Sequence, residues 1–346
     1  MQRRMKESGV GGAVVIDAKI IRDAGCGIRD TEYLELTIDY SLFTIHHSLC
    51  KFANMKMQEA SFYLLNRLRR IYDEGEADKI TDMVMEHLTG SKKAERMIYK
   101  NSPITPEEEK QLKQYTERLL KYEPVQYILK EAWFYNTKFY VDKNVLIPRP
   151  ETEELVDWVL KETKQMEVPG NRNIKILDVG TGSGCIAVAL KKFLPVEFEV
   201  WACDINDQVL TVARKNADDN GVLIDFVGLD FLDEKQREQL PHVDIIVSNP
   251  PYVPERDKNT MKENVVNYEP HSALFVPNED SLIFYKAIAD FGKEKLQTGG
   301  NVFVEIHENL GKAVTELFEQ KGYSVELRKD MQGKERMIKA ASPPPE

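Results

Sequence analysis

The residues most able to do chemistry are Asn249-Pro250-Pro251-Tyr252, which follow the apolar run Val243-Asp244-Ile245-Ile246-Val247. Their use lies in what they cannot donate. Neither proline has a backbone N–H, while Pro250 keeps its carbonyl and Asn249 offers a side-chain oxygen. The result is a rigid corner rich in acceptors. An NH₂ group on a planar amide or base can place one hydrogen on each acceptor, which presents its nitrogen to a methyl donor, with Tyr252 packed against the planar group. The bland alternative, a proline turn capped by asparagine, loses ground because a second motif lies upstream.

That motif is Asp178-Val179-Gly180-Thr181-Gly182-Ser183-Gly184, between the apolar run ending at Val179 and the apolar stretch Ile186 to Leu190. Glycine suits such a turn because a side chain would hold a ligand away from the backbone and because some of the turns need positive φ. A dinucleotide fingerprint requires glycine at the sixth position, which here is Cys185, so nicotinamide chemistry is disfavoured. Twenty residues past Gly184 a second run ends in Cys203-Asp204, where an acceptor-only carboxylate can take both hydroxyl hydrogens of a ribose. Asp230-Phe231 follows the next run; its carboxyl can accept from an adenine amino group and its ring can pack on the base. Singly each is an ordinary strand-end residue. In order, on successive strand ends, they describe a nucleoside site.

Other candidates carry less. His307, in Glu305-Ile306-His307-Glu308-Asn309, follows a strand end and titrates in the range a general base needs, yet a lone histidine at a strand-to-helix junction reads better as a capping or surface residue. His46-His47 has no further ligands at metal-site spacing, and no metal is expected. The acidic run Glu107-Glu108-Glu109 reads as the first turn of a helix, where acids complement its dipole.

The elements that must position these residues alternate between helix and short apolar strand from Glu151 onward. Strands are expected near Ile174 to Val179, Val200 to Cys203, Ile224 to Val227, Val243 to Val247 and Val302 to Ile306. Tyr323 to Arg328 and Arg336 to Ala340 flank Gln332-Gly333 as a closing hairpin. This predicts an α/β fold, a mostly parallel seven-stranded sheet with a C-terminal antiparallel hairpin and ligands beyond the carboxyl strand ends. Upstream, Phe62, Leu64, Leu65, Leu68 and Ile71 recur at helical spacing. A second helix is expected over Ala77 to Leu88, stopping at Gly90, and a third after Thr105, Pro106 and Glu108, a cap, first-turn proline and capping-box acid. Trp133 to Val141 alternates around Asn136-Thr137 as a hairpin does, and Val145 to Pro150 is a proline-stiffened connector.

The predicted organisation is an unassigned extension over 1–54, a small helical domain over 55–130, a hairpin and linker over 131–150, a catalytic domain over 151–342 and a tail over 343–346. Met55 and Met57 are plausible internal starts, so the extension is read as an addition or a mis-called start. Four scattered cysteines without CxxC spacing fit a reducing compartment. No apolar run approaches the roughly 20 residues needed to span a bilayer, and a cytoplasmic, membrane-free protein is expected. The formal charge of −10 argues against gripping many phosphates, hence against direct nucleic-acid binding.

The order of motifs resembles the HemK/PrmC family of release-factor glutamine methyltransferases, over almost everything from about residue 57 to 340. The resemblance includes Glu123-Pro124-Val125-Gln126-Tyr127-Ile128, Trp133-Phe134-Tyr135, and Leu146-Ile147-Pro148-Arg149-Pro150-Glu151-Thr152-Glu153. It continues in Tyr268-Glu269-Pro270 through Ala273-Leu274-Phe275 and in Asp330 to Arg336. It implies a class I (Rossmann-like) S-adenosylmethionine-dependent methyltransferase, with S-adenosylhomocysteine as product. The substrate would be the Gly-Gly-Gln glutamine of class I peptide-chain release factors, methylated at its side-chain amide nitrogen, N5. On this resemblance cofactor contacts fall on Gly180, Thr181, Gly182, Ser183, Gly184, Asp204, Phe231 and Asn249, and the glutamine pocket on Asn249, Pro250, Pro251 and Tyr252. Phe231 stands where some members carry tryptophan. The helical domain would grip the substrate, and a monomer is expected. The rival is an N-methyltransferase acting on an exocyclic base amine in DNA or RNA, which the same corner would serve.

Overall fold

The computed structural model describes residues 55–164, 166 and 173–342. The expectations for 1–54, including His46-His47, and for 343–346 lie outside the described residues.

The described residues open with helices. Helix α1 (Met57–Leu68) buries Ala60, Leu64 and Leu68 at four-residue steps, whereas Phe62, expected on the apolar face, is exposed. Helix α2 (Glu74–Thr89) is capped by Asp73, whose carboxylate accepts from Glu76 N at 2.9 Å, and ends at Gly90 with φ 65°. Two short helices, α3 (Lys93–Ile98) and α5 (Val125–Leu129), were not expected; between them α4 (Pro106–Leu119) starts at the predicted Thr105 cap, with Glu108 reaching back to Thr105 N at 2.6 Å. The inner faces of α1, α2, α4 and α5 share one apolar cluster around Leu64, Val84, Leu112 and Ile128.

Strands β1 (Ala132–Phe134) and β2 (Thr137–Phe139) form the hairpin, but its two turn residues are Tyr135 and Asn136, at φ 47° and 54°, not Asn136-Thr137. A β-branched threonine resists positive φ, so Thr137 takes the strand position and pairs with Phe134. Helix α6 (Pro150–Thr163) begins at the last proline of the connector, where a missing N–H costs nothing.

There follow β3 (Ile174–Val179), α7 (Cys185–Phe193), β4 (Phe198–Asp204), α8 (Asp207–Asp219), β5 (Asp225–Gly228), α9 (Glu234–Arg237) and β6 (Val243–Ser248). Short strands β7 (Val253–Pro254) and β8 (Phe275–Val276) pair beyond the corner, with α10 (Glu263–Tyr268) between them. Helix α11 (Ile283–Lys295), β9 (Leu296–Glu305), α12 (Gly311–Gln320), β10 (Ser324–Lys329) and β11 (Glu335–Ala341) complete the fold. The seven-stranded sheet runs β10-β11-β9-β6-β3-β4-β5; the pairs from β9 to β5 are parallel and both pairs of β11 are antiparallel. Strand β9 begins well before the expected Val302, because Gly299 and Gly300 break the alternation that marks a strand. Apolar clusters cover both faces, one under α6 and α7, the other under α11 and α12.

Strand order reverses at β3. The chain leaves it for β4 and β5 on one side, then returns to place β6 on the other. Val179 and Ser248 are direct partners in that parallel pair, and the Ser248 hydroxyl donates to Val179 O at 2.7 Å. The glycine turn and the acceptor corner therefore leave the sheet side by side, at the switch point where α/β sheets bind ligands.

Candidate active site

A cavity of about 310 Å³ opens at this switch point. Its lining includes Gly180, Thr181, Gly182 and Ser183 of the turn, together with Asp204, Asp230 and Phe231 from the ends of β4 and β5. Asn249, Pro250 and Pro251 line it from β6. Two predicted residues, Gly184 and Tyr252, do not line it. Gly184 instead starts α7 against Ala213 of α8. Tyr252 packs with the α11 and α12 cluster, its ring centroid 5.8 Å from that of His307.

The turn is built by its own backbone. Gly180 N and Thr181 N both donate to Cys203 O at 3.0 Å, and Gly180, Gly182 and Gly184 all have positive φ. The Thr181 hydroxyl donates to Asp178 Oδ2 at 2.7 Å; Asp178 is fully buried and burial raises its carboxyl to about 7. Asp204 accepts from Gly182 N at 3.1 Å on one oxygen and from Asn206 N at 3.2 Å on the other. Each oxygen retains a lone pair for a further donor. Burial raises the Asp204 carboxyl, and those N–H groups oppose the shift. Asp230 accepts from Leu232 N at 2.9 Å. Phe231 meets Phe291 in an edge-type contact, and the Arg237 guanidinium lies over its ring, 5.4 Å from the centre.

The geometry fits a nucleoside-bearing cofactor. A Cβ added at Gly180 or Gly182 would meet no protein atom within 4 Å, so those two positions leave open space for close approach from the cavity. Asp204 has acceptor capacity for vicinal hydroxyls, and Phe231 supplies an apolar wall for a base.

At the corner, Asn249 Nδ2 donates to the Thr152 hydroxyl at 3.0 Å, and that hydroxyl donates to Glu305 Oε2 at 2.6 Å. Neither Thr152 nor Glu305 was singled out from the sequence as a site residue. The connector roofs the cavity with Leu146, Pro148 and Arg149. Buried Glu269 holds it there, accepting from Ile147 N at 3.2 Å and from Arg149 Nη2 at 2.6 Å. Asn216 of α8 was missed too. Its amide exchanges hydrogen bonds with the Tyr140 backbone at 2.7 and 2.9 Å and donates to Ser183 O at 2.8 Å, clamping the end of the hairpin to the turn. His307 does not line the cavity; burial lowers its imidazole, and its Nδ1 accepts from Asn309 N at 3.2 Å, as a cap does. Among the described residues no group of three or more His, Cys, Asp or Glu is placed to hold a metal, and no helix is long and apolar enough to cross a membrane.

Known proteins are similar to this chain in sequence. The family described as Methyltransferase small domain matches residues 162–270, which contain both the glycine turn and the acceptor corner. The sheet and its cavity are those of a methyltransferase. The PrmC N-terminal domain matches residues 63–129, the helices that precede the hairpin. The chain is 42% identical over 276 residues to the release factor glutamine methyltransferase of Flavobacterium psychrophilum, covering 79% of this chain and 94% of that protein. It is 38% identical over 285 residues to the one from Bacteroides thetaiotaomicron, covering 82% and 99%. A solved protein-(glutamine-N5) methyltransferase (release factor-specific) from Alicyclobacillus acidocaldarius is 29% identical, with 60% of this chain and all of that one covered and a TM-score of 0.37. At such identity over nearly the full length of the two curated relatives, the chain belongs to the release factor glutamine methyltransferase family.

Proposed function

We propose that this methyltransferase transfers a methyl group from S-adenosylmethionine to N5 of the glutamine in the Gly-Gly-Gln motif of class I peptide-chain release factors. The observation that carries the reading is the acceptor corner: with Nδ2 of Asn249 turned to Thr152, its Oδ1 remains to accept from a substrate NH₂ in the cavity that Pro250 also lines. The relatives' names supply the substrate class.

In this reading Gly180 to Ser183 form the turn against which the cofactor lies, Asp204 accepts from its ribose hydroxyls, and Asp230 and Phe231 hold its base. When bound, S-adenosylmethionine supplies an electrophilic methyl on sulfonium and leaves as S-adenosylhomocysteine. An amide nitrogen is a poor nucleophile because its lone pair is delocalised into the carbonyl. Positioning therefore contributes heavily, and in-line approach at about 3 to 3.5 Å makes the encounter nearly unimolecular. Asn249 Oδ1 and the Pro250 carbonyl accept the two amide hydrogens, and both bonds strengthen as positive charge grows on nitrogen. One N–H proton is then lost to solvent as the N–C bond completes. The helices of 55–130 act as the grip on the release factor, and the enzyme works as a monomer.

The test is transfer from labelled S-adenosylmethionine to a purified class I release factor, to its Gly-Gly-Gln glutamine-to-alanine variant, and by an Asn249→Ala enzyme. Label is expected on the wild-type pair alone, with Asn249→Ala lowering kcat/KM by about a hundredfold or more. Label in DNA or RNA and none in the release factor would overturn the protein reading and favour a base amine.

A further inference from the structure

Asn249 is useful to a substrate NH₂ only if its oxygen faces the cavity. Reversed, its own NH₂ would meet the donors it is meant to receive. What selects the orientation is the chain Asn249 Nδ2 to Thr152 Oγ1 to Glu305 Oε2, at 3.0 and 2.6 Å. We propose that Thr152 and Glu305 are positioning residues that set the direction of the Asn249 amide, so that methyl transfer requires Glu305 in its ionised form. The proposal rests on the reading of Asn249 as an acceptor for the substrate amide.

The argument is one of proton counting. An ionised carboxylate only accepts, and a hydroxyl has a single hydrogen. Buried beside Glu305, Thr152 must spend that hydrogen on the carboxylate. Toward Asn249 it then shows lone pairs alone, so Nδ2 turns to Thr152 and Oδ1 is left for the cavity. A protonated Glu305 can donate to Thr152 instead. Thr152 is then free to donate to Asn249 Oδ1, and the amide reverses by exchanging the places of Oδ1 and Nδ2. The three residues come from separate elements, Thr152 from the first turn of α6, Asn249 from the end of β6 and Glu305 from the end of β9.

Glu305 is placed to titrate where this matters. Burial raises its carboxyl to about 7, Thr152 and the guanidinium groups of Arg336 on β11 and Arg149 on the connector oppose the shift, and Glu151 of α6 adds to it. Tyr252 of the corner, Tyr285 of α11 and Cys185 of α7 also face it. The Tyr285 hydroxyl is committed to the Glu305 backbone carbonyl at 3.0 Å.

The experiment measures methyl transfer to a class I release factor over roughly pH 5.5 to 8.5. It uses the full-length wild-type, Glu305→Gln, Thr152→Val and Thr152→Ser enzymes, with S-adenosylhomocysteine affinity determined for each. Wild-type kcat/KM is expected to rise about tenfold per pH unit on the acid side and to level off above neutrality. Glu305→Gln cannot titrate, and its amide can either accept from Thr152 or donate to it, so its rate should lack that limb whatever its level. Thr152→Val should lose about tenfold or more in kcat/KM while S-adenosylhomocysteine affinity stays within about twofold, and Thr152→Ser should restore the rate. An unchanged acid limb in Glu305→Gln, or a Thr152→Val enzyme as active as wild type, overturns the relay while the substrate assignment stands. A wild-type enzyme inactive on the release factor at every pH overturns the substrate assignment and the relay with it.

Discussion

Replacing Gly182 or Gly184 with alanine separates the two tasks of the glycine turn. Both residues have positive φ, 56° and 79°. For alanine that conformation costs about 1–2 kcal/mol, and the lower entropy of the unfolded chain returns about 0.4–1 kcal/mol. Each substitution thus starts from a net loss near 1 kcal/mol. Beyond that the two positions diverge. At Gly182 the new Cβ meets no protein atom within 4 Å, so packing adds nothing. At Gly184 it lies 3.2 Å from Ala213 Cβ and 3.3 Å from Ala213 Cα. Backbone in a packed helix does not yield readily, and overpacking adds about 1–3 kcal/mol. With roughly 2–4 °C of Tm per kcal/mol for a body of this size, Gly182→Ala should lower Tm by a few degrees and Gly184→Ala by two to four times as much. Affinity for S-adenosylhomocysteine should run in the opposite order. Gly182 lines the cavity and its methyl would occupy cofactor space, a loss of about tenfold or more, roughly 1.4 kcal/mol; Gly184 is behind the wall and should leave Kd nearly unchanged. Thermal unfolding and calorimetric titration of both variants decide it. Wild-type affinity in Gly182→Ala would refute the placement of the cofactor against the turn.

Glu269→Ala strips the partner from Arg149 and from Ile147 N–H inside the connector. The structure should lose about 2–4 kcal/mol and methyl transfer should fall, because the connector roofs the cavity; a Tm unchanged within about 1 °C would show that the pair holds nothing. For Glu305, a carboxyl raised from 4.5 to about 7 makes no difference to stability at low pH, where folded and unfolded chains are both protonated. Between those values the unfolded chain ionises first, so stability falls with rising pH by at most about 3 kcal/mol and stays down above them. Glu305→Gln should therefore gain Tm relative to wild type between pH 5 and 8, and a difference independent of pH would contradict the buried, reluctant carboxylate.

Much of this site was legible because its motifs are local. A strand followed at once by Gly180-Thr181-Gly182, and another by Asn249-Pro250, need no partner elsewhere in the chain to be recognised, and the order of the strands then brings them together. The Thr105 cap was legible for the same reason. What escaped is either remote or irregular. Thr152 and Glu305 are 153 residues apart, and the Asn216 clamp on Tyr140 spans 76; neither leaves a periodic trace. Helices α3 and α5, of six and five residues, are shorter than two turns and show no helical period. The hairpin turn was displaced by one residue because Tyr135, an uncommon occupant of positive φ, shares the turn with Asn136.

The remote residues follow one design. Asp178 ends its hydrogen-bonding reach at Thr181 in the glycine turn, and Glu305 ends its own at Thr152 beside the acceptor corner, at 2.7 and 2.6 Å. Both carboxyls are buried on strands flanking β6 or paired to it, and burial disfavours the charge of each. An apolar residue in either place would remove that penalty. It would also leave a threonine hydroxyl free to rotate at the point where the turn or the corner is set. A carboxylate that can only accept removes that freedom, since it dictates where the single hydroxyl hydrogen goes. Stability given up at two strand ends thus becomes fixed polarity at the two places where a cofactor and an amide must be held, the exchange expected of a preorganised site.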